Sequence, residues 1–102
     1  VIYASTSSIY GNIAPPLKED VKTMPPNFYA VSKLTKEHLA YVYEKEYALK
    51  LVGLRYMSIY GKGEESKGIY ANLVSQFLWA MQKDEQPVIY GDGTQTRDFT
   101  YV

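Results

Sequence analysis

Hydrophobic and polar positions along the chain divide it into short alternating elements. Val1–Ala4 (VIYA) is an apolar run of the kind that ends a buried strand. From Ser5 to Asn27 the chain is polar and carries Pro15, Pro16, Pro25 and Pro26, which predicts loop. A loop longer than about 12–15 residues inside a compact domain is usually functional or disordered. Phe28 to about Tyr47 predicts a helix: Val31, Leu34, Leu39, Val42 and Tyr43 recur near the helical spacing, and Asn27 suits the N-cap. Leu49–Tyr56 (LKLVGLRY) reads as a second strand, and Met57–Lys67 as a glycine- and charge-rich loop. Gly68 to about Lys83 predicts a second helix with Ile69, Leu73, Phe77 and Ala80 on one face. Pro87–Tyr90 reads as a strand, Gly91–Thr96 as a turn and Asp98–Val102 as a last strand. Strand–helix–strand–helix–strand is the order of an α/β sheet with crossover helices. There is no internal repeat and no linker, and 102 residues suit one modest domain.

Composition narrows the function classes. Eleven Lys and Arg balance eleven Asp and Glu, so the net charge is zero. A nucleic-acid or anionic-membrane binder needs a basic surplus, so neither partner is expected. There is no cysteine, hence no disulfide or thiolate site, and the one histidine, His38, reads as a surface residue with no second metal ligand. No apolar run approaches the ~20 residues of a membrane span and no signal peptide is visible, which makes the cytoplasm the expected setting. The chain opens at Val1 inside a strand-like run and stops at a strand-like TYV, so it reads as cut at both ends. The eleven tyrosines suit half-buried amphipathic packing, and Phe77 and Trp79 suit the second helix's core. Glu64, Glu65 and Lys67 read as a solvated loop, and Glu44, Lys45 and Glu46 as a solvated helix end.

Two stretches carry candidate chemistry. Four hydroxyls in a row, Ser5–Ser8 (STSS), follow the first strand, and Tyr29 and Lys33 stand four apart where the first helix begins. Residues i and i+4 are neighbours on a helix face. An ammonium there, with the positive end of the helix, favours a phenolate and makes the tyrosine a usable base near neutral pH. A strand-end hydroxyl could bond the same substrate oxygen. Taken alone, tyrosine and lysine at this spacing also describe a solvated pair.

Together, STSSIYG (Ser5–Gly11) and YAVSK (Tyr29–Lys33) resemble the extended short-chain dehydrogenase/reductase family, in particular its NAD-dependent nucleotide-sugar epimerases and dehydratases of the UDP-glucose 4-epimerase kind. LRYMSIYG (Leu54–Gly61), GIYANLVSQF (Gly68–Phe77) and VIYGDGTQTRDFTYV (Val88–Val102) continue the resemblance in the family's order, through nearly the whole chain. It implies part of a Rossmann-like doubly wound parallel sheet with the start of the substrate-binding region. It also implies roles. Tyr29 would be the catalytic acid/base, Lys33 its partner and a ligand of the nicotinamide ribose, and Thr6 the catalytic hydroxyl. Ser5 would line the cofactor side, and Tyr56 to Ser58 would lie at the nicotinamide and substrate. Asn72 and Leu73 would meet the sugar nucleotide's diphosphate, Val88 and Tyr90 its base, and Arg97 a phosphate, a task suited to a guanidinium fork.

Two departures matter. Ser58 stands where the family often has Asn, which puts that substrate contact in question. The family's G-x-x-G-x-x-G turn between a strand and a helix does not occur; Gly61-Lys62-Gly63 and Gly91-Asp92-Gly93 read as turns. Residues 1–102 are therefore expected to be the catalytic middle of a longer enzyme, without its main cofactor-binding half. The resemblance implies 4-epimerisation by transient oxidation with bound NAD, and a homodimer formed through paired helices. The 4,6-dehydratases carry an Asp-Glu pair after the catalytic Thr, where this chain has Ser7 and Ser8, so epimerisation fits better than dehydration. Decarboxylation, heptose epimerisation and a non-catalytic sugar-nucleotide-binding module are the competing readings.

Overall fold

The computed structural model describes all 102 residues, which form two units, Val1–Tyr56 and Met57–Val102.

In the first unit, β1 (Ile2–Ala4) pairs in parallel with β2 (Val52–Leu54), with Ile2, Tyr3 and Ala4 opposite Val52, Gly53 and Leu54. Only the apolar centre of the expected Leu49–Tyr56 strand enters the ladder. The Tyr3 ring lies across Gly53, where a Cβ would come within 2.5 Å of its atoms. The parallel pair is joined by a crossover that contains α1 (Phe28–Tyr47), as parallel strands require. Asn27 caps α1, its side chain accepting the Ala30 N–H at 2.9 Å, and the helix ends where Ala48 turns left-handed. The polar stretch expected as loop contains one ordered piece, a 3-10 turn at Ser7–Tyr10 that packs against α1.

Ile9, Tyr10 and Ala30 form this unit's buried apolar core. Of the apolar stripe of α1, only Leu34 is partly covered. Val31, Leu39, Val42 and Tyr43 are about half exposed, while Lys33, Leu34, Glu37 and Ala40 are the partly covered side.

In the second unit, β3 (Ile59–Tyr60) pairs in parallel with β4 (Thr100–Tyr101). Tyr60 sets its ring edge-on to Phe99 and Tyr101. Three expectations are corrected here. The second helix does not start at Gly68: α2 spans Leu73–Gln82, preceded by a 3-10 stretch at Glu64–Tyr70 that kinks at Gly68. Gly68 takes φ 52, which breaks the helical path, and Asn72 restarts it as N-cap by accepting the Val74 N–H. Pro87–Tyr90 is not a strand, because an extended segment needs a neighbour to pair with and these residues enter no ladder.

The third correction concerns Glu64, which is buried rather than solvated. It accepts bonds from Lys67 Nζ at 2.8 Å, the Asn72 N–H at 3.2 Å and the Ser75 hydroxyl. Lys67 first, then Ser75, holds its carboxyl down to about 2.

Candidate active site

The site of the first unit begins where β1 ends. The Ser5 N–H donates to the Leu54 carbonyl at 2.9 Å and the Ser7 N–H to the Tyr56 carbonyl at 3.1 Å, so the hydroxyl run leaves the sheet as a continuation of its parallel ladder. Ser5 and Thr6 are buried. Thr6 is the N-cap of the 3-10 turn: its Oγ1 accepts the Ser8 N–H at 3.2 Å and donates to Ser8 Oγ at 3.2 Å. A hydroxyl has one donor and two acceptor positions. One acceptor position on Thr6 remains, and the donor can rotate from Ser8 to a substrate oxygen.

Tyr29, Lys33 and Glu37 follow at four-residue intervals on one stripe of α1. Tyr29 is about half exposed, so a substrate hydroxyl can reach it. The Lys33 ammonium lies over the Tyr29 ring, 5.5 Å from its centroid.

The third residue of the stripe was not singled out by sequence reasoning, and it anchors the arrangement. Glu37 accepts the Ser5 hydroxyl on Oε1 and takes a two-point ion pair from Arg55, Nε to Oε1 at 3.0 Å and Nη2 to Oε2 at 2.8 Å. Arg55 Nη1 donates to the Tyr10 hydroxyl at 3.0 Å and the Glu19 carbonyl at 2.9 Å, with the guanidinium over the Tyr10 ring. The Arg55 fork, chiefly, holds the Glu37 carboxyl below the usual carboxylate range. Burial, then the negative Glu37, pushes the Tyr3 phenol up. The signal available in the sequence was the spacing: Glu37 repeats the Tyr29–Lys33 interval once more.

The chain therefore ties Ser5, next to Thr6, to the helix stripe of Tyr29 and Lys33. Tyr56 is partly exposed and gives its carbonyl to the hydroxyl turn.

The remaining predicted residues lie in the second unit. Leu73, Tyr90 and Arg97 line one cleft of about 400 Å³ with Phe77, Phe99 and Gln95. Asn72 precedes it, its side chain engaged by Val74 and by the Ile59 carbonyl at 3.3 Å. Val88 is exposed and does not line the cleft. Ser58 stands at the start of β3 with φ 34, in the left-handed region. A larger, more open groove along α2, with Ile69, Gln76 and Trp79, contains none of the predicted residues.

All 102 residues match the family described as the NAD dependent epimerase/dehydratase family. The chain belongs to that family. It is 38% identical over 104 residues to the UDP-glucuronate 4-epimerase of Thermodesulfobacterium geofontis, covering all of this chain and 31% of that protein. It is 37% identical over 108 residues to a UDP-N-acetyl-alpha-D-glucosaminuronate decarboxylase of Bacillus cytotoxicus, again covering all of this chain and 33% of the other. Among solved structures, the UDP-N-acetylglucosamine 4-epimerase of Methanobrevibacter ruminantium, in complex with UDP-N-acetylmuramic acid, superposes with a TM-score of 0.91 at 39% identity, over 98% of this chain and 33% of that one. The chain thus spans about a third of the length of the relatives it matches. The parallel strand pairs and crossover helix are the α/β architecture of this Rossmann-fold family.

Proposed function

We propose that the protein carrying this chain is a nucleotide-sugar 4-epimerase of the UDP-glucose/UDP-galactose type. The observation that carries the reading is the Ser5–Glu37 bond, which ties the strand-end hydroxyls to the helix stripe bearing Tyr29 and Lys33. Family membership supports it.

The donor set fits one end of the family's cofactor: the Lys33 ammonium would hold a ribose diol, and Tyr29, Ser5 and Tyr56 would line the nicotinamide. When bound, NAD supplies the hydride acceptor that becomes the donor in the return step, so the overall redox change is zero. Tyr29 would take the proton from the sugar's C4 hydroxyl and later return it, with the Lys33 ammonium over its ring. Thr6 uses its free acceptor position and its rotor to hold the same oxygen as hydroxyl and as ketone. Ser7 and Ser8 are not competent acids or bases at ordinary pKa, which favours epimerisation over dehydration. In the second unit, the cleft of Leu73, Tyr90 and Arg97 suits a nucleotide, with Arg97 for a phosphate and Tyr90 for the base; Asn72, just before it, is assigned to the diphosphate and Ser58 to the sugar, while Val88, outside the cleft, is left without a contact. A homodimer formed through paired helices is the proposed working assembly. The zero net charge supports a small-molecule partner rather than nucleic acid or a membrane. No helix is long and apolar enough to cross a membrane, and the cytoplasm is the proposed setting.

The test is the protein that contains this chain, incubated with NAD and UDP-glucose, UDP-glucuronate or UDP-N-acetylglucosamine, and read by proton NMR at C4. Inversion at C4 supports the reading. Loss of carbon dioxide from the uronate would favour a decarboxylase, the activity named for the Bacillus cytotoxicus relative. No turnover of any of them with NAD present would favour a non-catalytic sugar-nucleotide module.

A further inference from the structure

We infer that Glu37 is a positioning residue that locks the Ser5–Thr6 hydroxyl pair against the Tyr29/Lys33 stripe of α1, with Arg55 as the clamp that fixes the carboxylate. The inference rests on the epimerase reading for its effect on rate, but the lock itself is read separately. Glu37 holds three bonds at once: the Ser5 hydroxyl and Arg55 Nε on Oε1, and Arg55 Nη2 on Oε2. Arg55 is in turn fixed by Tyr10, which is buried, and by the Glu19 carbonyl. The carboxylate therefore cannot swing with its helix side chain alone. Thr6 sits between Ser5 and Ser7, whose N–H groups bond the Leu54 and Tyr56 carbonyls, so fixing Ser5 fixes the direction from which Thr6 Oγ1 meets a substrate.

A carboxylate is required because every bond it makes here is accepted. Glu37→Gln keeps the shape but replaces one acceptor oxygen by a donor, which faces the guanidinium in either orientation and the Ser5 hydroxyl as well in one. Displacing reacting groups by about 1 Å can cost on the order of 10²-fold in rate.

The test compares Ser5→Ala, Glu37→Gln and the double variant in the full-length protein, at saturating NAD and well below each variant's unfolding temperature. Each single change is expected to lower kcat about tenfold or more with KM for the nucleotide sugar within about twofold, because the lost geometry acts on the reacting oxygen. The double variant is expected to lose no more than the worse single, since both remove one interaction. A role in stability alone would lower the unfolding temperature and leave kcat in place. Full kcat in either single variant, or losses that multiply, would overturn the inference. Ser5→Ala leaves the Glu37–Arg55 pair intact and keeps the test open if Glu37→Gln does not fold. If the unaltered protein turns over nothing, the functional reading falls, and the lock is decided by amide exchange. Faster exchange at Ser5 and Ser7 in either variant supports it, and unchanged exchange overturns it.

Discussion

At the scale of single residues, the proposed acid/base pair is Tyr29 and Lys33. Tyr29 is about half exposed, and its hydroxyl is not part of the buried core. Tyr29→Phe is therefore expected to leave the thermal unfolding midpoint nearly unchanged while kcat falls about 10²–10⁴-fold, the usual contribution of a positioned acid/base. Retained turnover would remove Tyr29 from the mechanism. Ser58 gives a second case. Its φ of 34 lies in the left-handed region, where Asn is enriched because its amide bonds locally. The Asn that the family often carries there suits that backbone. Ser58→Asn is expected to hold or raise stability, by up to about 1 kcal/mol, in thermal unfolding. A lower midpoint would mean that the serine hydroxyl itself is needed. That Tyr29 and Lys33 share one helix face was legible because it depends on a local interval. Glu37 and Arg55 were not, because their pairing spans 18 residues and joins α1 to the residue just past β2.

At the scale of elements, the β1–β2 pair and the start of α2 each depend on one feature. Gly53 gives room to the Tyr3 ring across the ladder, and an added Cβ would sit 2.5 Å from it. Gly53→Ala is expected to destabilise the first unit by about 1–3 kcal/mol, the cost of overpacking, as measured by denaturant unfolding. Glu64 governs the approach to α2. Its carboxyl is held down to about 2 by Lys67 and Ser75, a depressed value, so its contribution is fully present above the ordinary carboxylate range and is lost as pH falls toward about 2. The difference in unfolding midpoint between the unaltered chain and Glu64→Gln is therefore expected to be widest near neutral pH and to close on acidification. A constant difference would show that the charge is not what matters. The sequence pattern made Glu64 look solvated because acidic and basic residues surround it. What buries it is the return of the chain at Gly68 and Asn72, a tertiary event that local composition does not record.

At the scale of the whole molecule, the chain covers about a third of its relatives and leaves most of its large apolar side chains exposed, Phe28 at 95% among them. A chain of this size buries a limited fraction of its surface. The residues proposed to meet NAD are those for the nicotinamide riboside, and the glycine turn that holds the pyrophosphate in this family is not among these 102 residues. The isolated 102-residue chain is thus expected to give no saturable heat with NAD in calorimetry, and saturable binding would show that these residues suffice.

By itself, the sequence determined the α/β class, the position and cap of α1, and the placing of Tyr29 and Lys33 on one helix stripe and of four hydroxyls just after β1. These follow from local rules: helical period and capping chemistry. Tertiary structure alone decided that α1 lays Lys33 and Glu37, rather than most of its apolar stripe, on its own unit. It also decided that Pro87–Tyr90 enters no ladder, and that Leu73, Tyr90 and Arg97 share a cleft while Val88 does not. The reason is physical: burial, strand pairing and ion pairing depend on which distant segment arrives alongside, and nothing in a residue's neighbours along the chain specifies that.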